Sequence, residues 1–260
     1  MKTKRFYGKG LPNIDPSHLK GTLIVVEGSD GAGRSTQMAM LLNWLERKGH
    51  PTVLVGLKRS ELVGEALAEA MKGNTLTSTT FKLFYATDFA DQLERVIIPS
   101  LKAGFVVLAD RYIYTLMARD IVRGSSLEWL KDLYGFALVP DAVFYLNVNP
   151  KTLAERNFRK RGYLDYWESG MDIMRVGGMY ENFIKYQGRL HRVFEHLQTE
   201  FGFTTIQGSK SPQAVAREIR AKVEKILAAS HEPAVAAAHP EEHGASGHVK
   251  DERVSAHPKE

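Results

Sequence analysis

The chain contains no cysteine among its 260 residues. A disulfide framework, a thiolate nucleophile and a cysteine-ligated zinc site are therefore excluded. The apolar runs are also short, since none approaches the roughly 18 residues that a membrane-spanning helix requires. The basic N-terminal residues are not followed by an apolar segment, so a secretion signal is not indicated. These absences favour a cytoplasmic protein that does not enter a membrane.

Strong charge of one sign is likewise missing from the central part of the chain. The formal net charge is +5, of which residues 1–20 carry +4, residues 21–228 carry +4 and residues 229–260 carry −3. No stretch concentrates lysine and arginine with interleaved aromatic residues, as nucleic-acid-binding surfaces do. The mild positive excess suits small anionic ligands at least as well as nucleic acid, and we expect no nucleic-acid partner.

Composition divides the chain into three parts. Residues 1–20 are predicted to be a basic N-terminal extension, and residues 21–228 a single folded domain. Residues 229–260 lack aromatic residues and periodicity and are rich in Ala, Pro, Glu, His and Gly, which predicts a disordered C-terminal tail. The histidines of the tail could bind a metal ion, but their irregular spacing favours a solvated segment.

Within residues 21–228, five short apolar runs alternate with longer helical patterns. The runs TLIVVEG, PTVLVG, FVVLAD, AVFYLNV and FTTI are predicted to be strands. Helices are expected after each of the first two strands, from about Thr79 to Lys102 with a bend at Pro99, and from Pro212 onward with Ser211 as the N-cap. This alternation predicts an α/β fold with a parallel sheet that helices cover on both faces. Ligands of such sheets bind at the carboxyl ends of the strands, where Gly28 and Asp110 both fall.

The segment EGSDGAGRST, residues 27–36, joins the first strand to the first helix. Its glycines let successive backbone N–H groups point into one concavity, and the positive end of the following helix adds to the attraction for phosphate groups. Ser35 supplies the hydroxyl expected to ligate Mg²⁺, and Arg34 stands where such loops carry lysine. A glycine-rich turn without a ligand is the alternative. The predicted nucleotide-binding residues are Gly28, Ser29, Asp30, Gly31, Ala32, Gly33, Arg34, Ser35 and Thr36.

Four motifs, taken in order, resemble the thymidylate kinase family of nucleoside monophosphate kinases. They are EGSDGAGRSTQ, LFYATDFADQLERVIIPSLKAG, ADRY, and PDAVFYLNVNP followed by an arginine-rich segment. The resemblance extends over about residues 21–228. It implies a P-loop NTPase-type three-layer fold with a five-stranded parallel sheet and a lid segment. It also implies ATP as the phosphoryl donor, Mg²⁺ as the cofactor, dTMP as the first choice of acceptor, and a homodimer.

The resemblance assigns roles to residues that match the family's motifs. Asp30 matches the loop carboxylate that meets the sugar 3′-hydroxyl of the acceptor, and Arg111 matches the arginine that holds the acceptor phosphate. Asp110 matches the position beside the magnesium ion and the reacting phosphates and, with Arg34, is predicted to be catalytic. Tyr85 falls where the family has an aromatic residue that stacks on the acceptor base. The alternatives are a surface ion pair for the Asp110 and Arg111 side chains and a core position for Tyr85.

The segment ERNFRKRGYLDYWESG matches the family's lid. Members with glycine at the position of Gly31 tend to supply a catalytic arginine from the lid, where Arg156, Arg159 and Arg161 are available. We expect Arg159 and Arg161 to close over the phosphates and to be catalytic. A basic cluster at a helix end can instead complement the helix dipole.

The chain departs from the family's pattern at four places, three of which concern the acceptor. Arg34 replaces the loop lysine. Phe89 stands where an arginine that helps to recognise thymine would be. The REPGG run after the second strand is reduced to LKRSELVG, with Arg59 as a shifted substitute. After ADRY, the segment IYTLMARD puts Arg119 and Asp120 near the expected base pocket.

Three functions are compatible with the sequence. The first is an ATP-dependent kinase that phosphorylates dTMP. The second is a nucleotide-binding protein with little turnover, in which Arg34 anchors phosphates without supporting transfer. The third is a kinase for another acceptor, such as a deoxynucleoside or a different nucleoside monophosphate. All three share one fold, so the chemistry of the site has to separate them.

Overall fold

The protein is described here by a computed structural model, which covers residues 3–73, 76–174 and 177–231. A five-stranded parallel sheet forms its centre, with the strands in the order β2-β3-β1-β4-β5. The strands are β1 (Thr22–Glu27), β2 (Thr52–Gly56), β3 (Val106–Asp110), β4 (Ala142–Asn147) and β5 (Thr204–Gln207). All five predicted strands and the predicted α/β fold class are confirmed.

Helices pack on both faces of the sheet. They are α1 (Arg34–Arg47), α2 (Gly64–Gly73), α3 (Ser78–Gln92), α4 (Ile98–Lys102), α5 (Ile113–Val122), α6 (Leu127–Leu133), α7 (Pro150–Arg161), α8 (Met179–Phe201) and α9 (Pro212–His231). The predicted N-cap of α9 is confirmed, because the Ser211 hydroxyl accepts a hydrogen bond from the Ala214 backbone N–H at 3.3 Å. Within the described residues, no helix is both long and apolar enough to span a bilayer.

The central strand β1 supplies both hydrophobic cores. All six of its residues are buried, as expected of a strand covered on both faces. Leu23 and Val25 contribute to the core that α3, α4, α5 and α8 cover. Ile24 and Val26 contribute to the core that α1 and α9 cover. The carboxyl end of this strand is therefore a fixed platform for the loop that follows it.

The helical stretch between β2 and β3, for which a bend at Pro99 was predicted, departs from regular α-helix before that proline. Its first part, α3, ends at Gln92, and a π-helical turn over Leu93–Ile97 precedes α4. The Ile98 N–H donates to the Leu93 carbonyl, five residues back. Pro99 has no N–H, so the regular α-helical ladder is already broken at this point and the looser turn accommodates the break.

The N-terminal segment, predicted to be an extension, contacts the domain. Lys4 forms an ion pair with Asp141 at 2.5 Å, and its side chain is almost fully buried. The Tyr7 hydroxyl lies 2.5 Å from the hydroxyl of Tyr114, which belongs to α5. These contacts hold Lys4 and Tyr7 against the domain. Of the predicted C-terminal tail, residues 232–260 lie outside the described residues.

Candidate active site

The predicted phosphate-binding loop lies between β1 and α1, at the carboxyl end of the central strand. Gly31 has φ +87° and Gly33 has φ +99°, in the left-handed region that glycine adopts without strain. A Cβ atom at Gly31 would lie 2.8 Å from the side-chain nitrogen of Asn157, so space also restricts that position to glycine. The sequence therefore folds the loop as an open turn that larger residues would distort.

A cavity of about 370 Å³, which we call the phosphate cavity, opens in front of this loop. Residues 30–37 line it, together with the cationic side chains of Arg156, Lys160, Arg161 and Lys210. The N-terminus of α1 also borders it, and free backbone N–H groups at a helix N-terminus attract anions. All predicted loop residues from Asp30 to Thr36 contact this cavity, which suits a polyphosphate.

Arg34 does not extend freely into the phosphate cavity. Its Nε donates to Asp110 Oδ1 at 2.8 Å, and a terminal nitrogen donates to the backbone carbonyls of Ser29, at 2.8 Å, and Gly28. The other terminal nitrogen lies 3.3 Å from Asp30 Oδ1. The guanidinium thus ties the loop backbone to two carboxylates, and this arrangement uses its planar, forked shape.

A second, smaller cavity of about 20 Å³, which we call the inner cavity, lies behind the loop. Gly28 and Ser29 line this cavity. Asp30 also faces it and forms ion pairs with Arg111 at 2.5 Å and with Arg119 at 3.4 Å. Burial opposes ionisation of Asp30, but the guanidinium groups of Arg111, Arg34 and Arg119 hold its pKa well below the usual range. Asp30 is therefore a buried carboxylate shared by the two cavities.

Within the predicted lid, residues 155–170, Glu168 faces Asp30 of the phosphate-binding loop. Burial and the facing Asp30 carboxylate raise the pKa of Glu168 to about 7. No donor among the described residues reaches Glu168 Oε2, so a proton on Glu168 can join the two carboxyl groups. Arg161 donates to the other oxygen of Glu168 at 3.0 Å. Sequence reasoning missed Glu168, because its partner Asp30 is distant in the chain.

The lid arginines differ in where they lie. Arg161 lines the phosphate cavity, as predicted, whereas Arg159 is exposed and does not. Arg156, which the sequence offered but we did not select, lines the cavity and donates to the carbonyls of Gly31 at 3.3 Å and Gly208 at 3.1 Å. The sequence shows all three arginines on one helix, and only the packing of α7 against the loop distinguishes them.

Arg111 follows β3 in a conformation that is unusual for arginine. Its φ is +72°, and its backbone N–H donates to the Val26 carbonyl at 3.0 Å. The buried Glu27 carboxylate fixes the next residues, because it accepts hydrogen bonds from the N–H groups of Tyr112 at 2.9 Å and Thr115 at 3.2 Å. Sequence reasoning did not assign Glu27, although a carboxylate at the end of an otherwise apolar strand was a usable signal.

The predicted base-binding residues meet in a third cavity, which we call the aromatic slot. It has a volume of about 40 Å³, and Tyr85, Arg119 and Asp120 are among the residues that line it. The Phe81 and Trp167 rings stack at 5.8 Å with an interplanar angle of 17° and form one side of the slot. Because Arg119 also lines the inner cavity, the slot and the inner cavity share a wall.

Comparisons with known proteins agree with this geometry. A family model described as Thymidylate kinase matches residues 26–219. The chain is 40% identical over 203 residues to a "Probable thymidylate kinase 2" of Saccharolobus solfataricus, which covers 78% of this chain and 95% of the relative. It is 32% identical over 216 residues to a "Probable thymidylate kinase" of Thermococcus kodakarensis. This match covers 78% of this chain and 98% of the relative. A "Thymidylate kinase" of Brachyspira hyodysenteriae is 30% identical over 166 residues, a match that covers 64% of this chain and 82% of the relative.

The chain belongs to the thymidylate kinase family. The predicted family and its phosphotransferase class are confirmed. Phe89, which replaces an arginine, is buried and packs edge-on against Tyr112 with ring centroids 4.9 Å apart. It belongs to the core, so a charged side chain at this position would lie among aromatic rings.

The second departure from the thymidylate kinase pattern concerns the cation after β2. Arg59, the predicted substitute, is exposed, and its guanidinium lies beside Gly56, whose partner on β3 is Asp110. Lys58 is also exposed, but it is the cation that responds to the site arginines: burial of its ammonium group and the nearby positive charges of Arg119 and Arg111 lower its pKa. The buried carboxylate of Asp88 holds this loop by accepting from the Lys58 N–H at 2.8 Å.

We therefore expect Lys58→Met to raise the KM for the acceptor nucleotide about tenfold, equivalent to about 1.4 kcal/mol of lost attraction for a phosphate dianion. Arg59→Met, the neighbouring change of the same kind, should alter that KM by less than about twofold. Steady-state kinetics at saturating ATP would measure both values. A larger effect at Arg59 than at Lys58 would contradict the structural placement and restore the prediction from sequence.

Proposed function

We propose that this member of the thymidylate kinase family transfers the γ-phosphoryl group of ATP to dTMP, producing dTDP. The observation that carries the proposal is that the three cavities are adjacent and share lining residues. Asp30 lines both the phosphate cavity and the inner cavity, and Arg119 lines both the inner cavity and the aromatic slot. A donor polyphosphate in the first and an acceptor base in the third would bring their phosphates together beside Asp30 and Arg111.

On the donor side, the loop backbone and the cations of the phosphate cavity would bind the phosphates of ATP. The Ser35 hydroxyl and the Asp110 carboxylate are hard oxygen donors of the kind that Mg²⁺ takes, so the residues present fit this ion. When bound, Mg²⁺ would neutralise phosphate charge and orient the transferred group. Arg34 would keep the loop and Asp110 in place, and Arg161 would be the lid cation nearest the reaction, with Arg159 as the second candidate.

On the acceptor side, Arg111 would hold the 5′-phosphate and Asp30 the sugar 3′-hydroxyl. The base would enter the aromatic slot beside Tyr85 and Trp167, because planar rings pack favourably on aromatic side chains. Phosphoryl transfer needs little covalent participation by the protein, so positioning and charge neutralisation are sufficient catalysis. A homodimer, as the family resemblance implies, is part of the proposal.

A coupled assay of ADP release tests the proposal. The acceptors would be dTMP, dUMP, dCMP, dAMP, dGMP and thymidine, each with ATP and Mg²⁺. We expect kcat/KM for dTMP to exceed that for every other acceptor by about tenfold or more. Signal with dTMP no higher than with water would overturn the proposal, and a better acceptor in the panel would identify the kinase's true substrate.

The second candidate is a nucleotide-binding protein with little turnover. It is favoured by one observation, the engagement of Arg34 with the Gly28 and Ser29 carbonyls instead of the open cavity. Binding of ATP and Mg²⁺ in a calorimeter, without ADP release on any acceptor of the panel, would support it over the kinase.

A further inference from the structure

Asp120 is a carboxylate in the aromatic slot that the proposed chemistry has not used. It lies on α5 and lines the slot together with Tyr85 and Trp167. Its side chain is half-buried, and no hydrogen bond or ion pair to its carboxylate is found within residues 3–73, 76–174 and 177–231. A half-buried carboxylate without a partner has lost part of its hydration, and a hydrogen-bond donor in the cavity would replace it. An unpaired carboxylate in a cavity therefore points to a ligand that brings its own donor.

The neighbouring cations are engaged with other partners. Arg119 contacts Asp30 at 3.4 Å, and Arg123 binds Asp172 through two nitrogens, at 2.8 and 3.1 Å. Lys82 lies 5.8 Å above the ring of Trp129. These cations supply a positive field around Asp120 without forming a bond to it.

The charge state of Asp120 suits an acceptor at physiological pH. Burial raises its pKa to about 6, while Lys82, Arg123 and Arg119 act in the opposite direction. Tyr85 and the buried Tyr134 are the other titratable groups facing it, and the pKa of each is raised, so both stay neutral. At pH 8 the group is therefore a carboxylate, which accepts hydrogen bonds and donates none.

The shape of the slot restricts the donor to a flat ring. Phe81 and Trp167 form a stacked wall, and Met71 and Leu116 add apolar surface. A ring N–H can reach a carboxylate in such a slot while the faces of the ring remain against the aromatic side chains. Thymine presents one ring N–H between two carbonyl oxygens, and the guanidinium groups of Arg119 and Arg123 border the same cavity.

We propose that Asp120 determines acceptor specificity by accepting a hydrogen bond from the N3–H of the thymine base. The inference rests on the proposed dTMP kinase function and adds the residue that recognises the base. Cytosine has an unprotonated N3, which would face the carboxylate lone pairs without a donor, so the arrangement discriminates against dCMP.

The test compares dTMP with N3-methyl-dTMP, in which a methyl group replaces the proposed donor hydrogen, and the Asp120 variants separate the loss of the donor from the added bulk. For the wild-type protein at pH 8 we expect kcat/KM to be about 100-fold higher for dTMP. Asp120→Leu should lower kcat/KM for dTMP by about 10- to 100-fold, mainly because KM rises. The kcat/KM for the methylated analogue should be almost the same as in the wild type. Asp120→Asn keeps an oxygen acceptor and gains a donor, so dTMP should remain a substrate while dCMP improves. The KM for ATP should stay constant in all variants.

Asp132→Asn removes an exposed carboxylate outside the slot and is the matched control, for which no change is expected. Equal losses for dTMP and the methylated analogue in Asp120→Leu would overturn the inference and make Asp120 a structural residue. If Asp120→Leu does not fold, the wild type and Asp120→Asn still provide the comparison. Absence of dTMP turnover in the wild type would refute the proposed function instead, and calorimetric binding of the two nucleotides would then test the base contact alone.

Discussion

Arg34→Ala is expected to lower kcat/KM for ATP about 1000-fold, and Arg34→Lys about tenfold. The alanine variant removes a positive charge beside the phosphates, which is the kind of electrostatic contribution that dominates phosphoryl transfer. The lysine variant keeps the charge, but one ammonium group cannot reproduce the contacts that the Arg34 guanidinium makes with Asp110, Asp30 and the loop carbonyls. Steady-state kinetics with varied ATP would measure both losses.

Arg47→Ala is the matched control for this series. It removes an exposed arginine from the last turn of the same helix, and kinetics should be unchanged. If Arg34→Lys instead equals or exceeds the wild type, the forked contacts contribute nothing to turnover and arginine is a tolerated replacement for lysine.

Arg111→Gly is expected to lower kcat/KM for the acceptor about 1000-fold while preserving the fold. The side chain is one of two cations, with Arg119, that line the inner cavity, so its loss removes the proposed partner of the acceptor phosphate. The backbone, in contrast, benefits: φ +72° costs a residue with a side chain about 1 kcal/mol, and glycine adopts it without strain. Asp30 keeps Arg34 and Arg119 as partners. The free energy of unfolding should therefore stay within about 1 kcal/mol of the wild type.

Arg111→Ala separates the two effects. Its kcat/KM for the acceptor should fall as far as that of Arg111→Gly. In denaturant unfolding it should be about 1 kcal/mol less stable than Arg111→Gly, because alanine retains the backbone strain. The affinity for ATP, measured by calorimetry, should be nearly unchanged in both variants. A collapse of ATP affinity would show that Arg111 serves the donor side, and our assignment of it would be wrong.

Much of the fold could be predicted from local patterns. Buried parallel strands are continuous apolar runs, so β1 and β3 stand out in the sequence, and the glycines of the loop identify its position between strand and helix. The π-helical turn could not be predicted, because Pro99 indicates a break in a helix but not on which side the backbone adapts. The docking of Lys4 on Asp141 joins residues 137 positions apart, and charge composition alone does not reveal such a pairing.

The site was predictable to the level of motifs rather than of individual side chains. Arg59 and Lys58 are adjacent in one loop, and the left-handed conformation at Lys58, φ +62°, which helps to set the direction of the chain there, is not apparent in the sequence. Glu168 and Asp30 attract attention only because they are close in space. The unpaired state of Asp120 is equally invisible in sequence, since it depends on where Lys82 and its other neighbours point.

The π-helical turn over Leu93–Ile97 makes the base end of the site dependent on the length of a distant segment. A π turn contains one residue more than the regular helix needs, and an α-helix advances about 100° per residue. Deleting one residue there would restore regular spacing and rotate everything upstream about the helix axis by that angle. Phe81, Tyr85 and Asp88 all lie upstream. Their side chains would therefore move away from the aromatic slot and from the loop that Asp88 holds, while the phosphate-binding loop stayed intact. The rotational phase of this helix is thus set by five residues that touch no ligand.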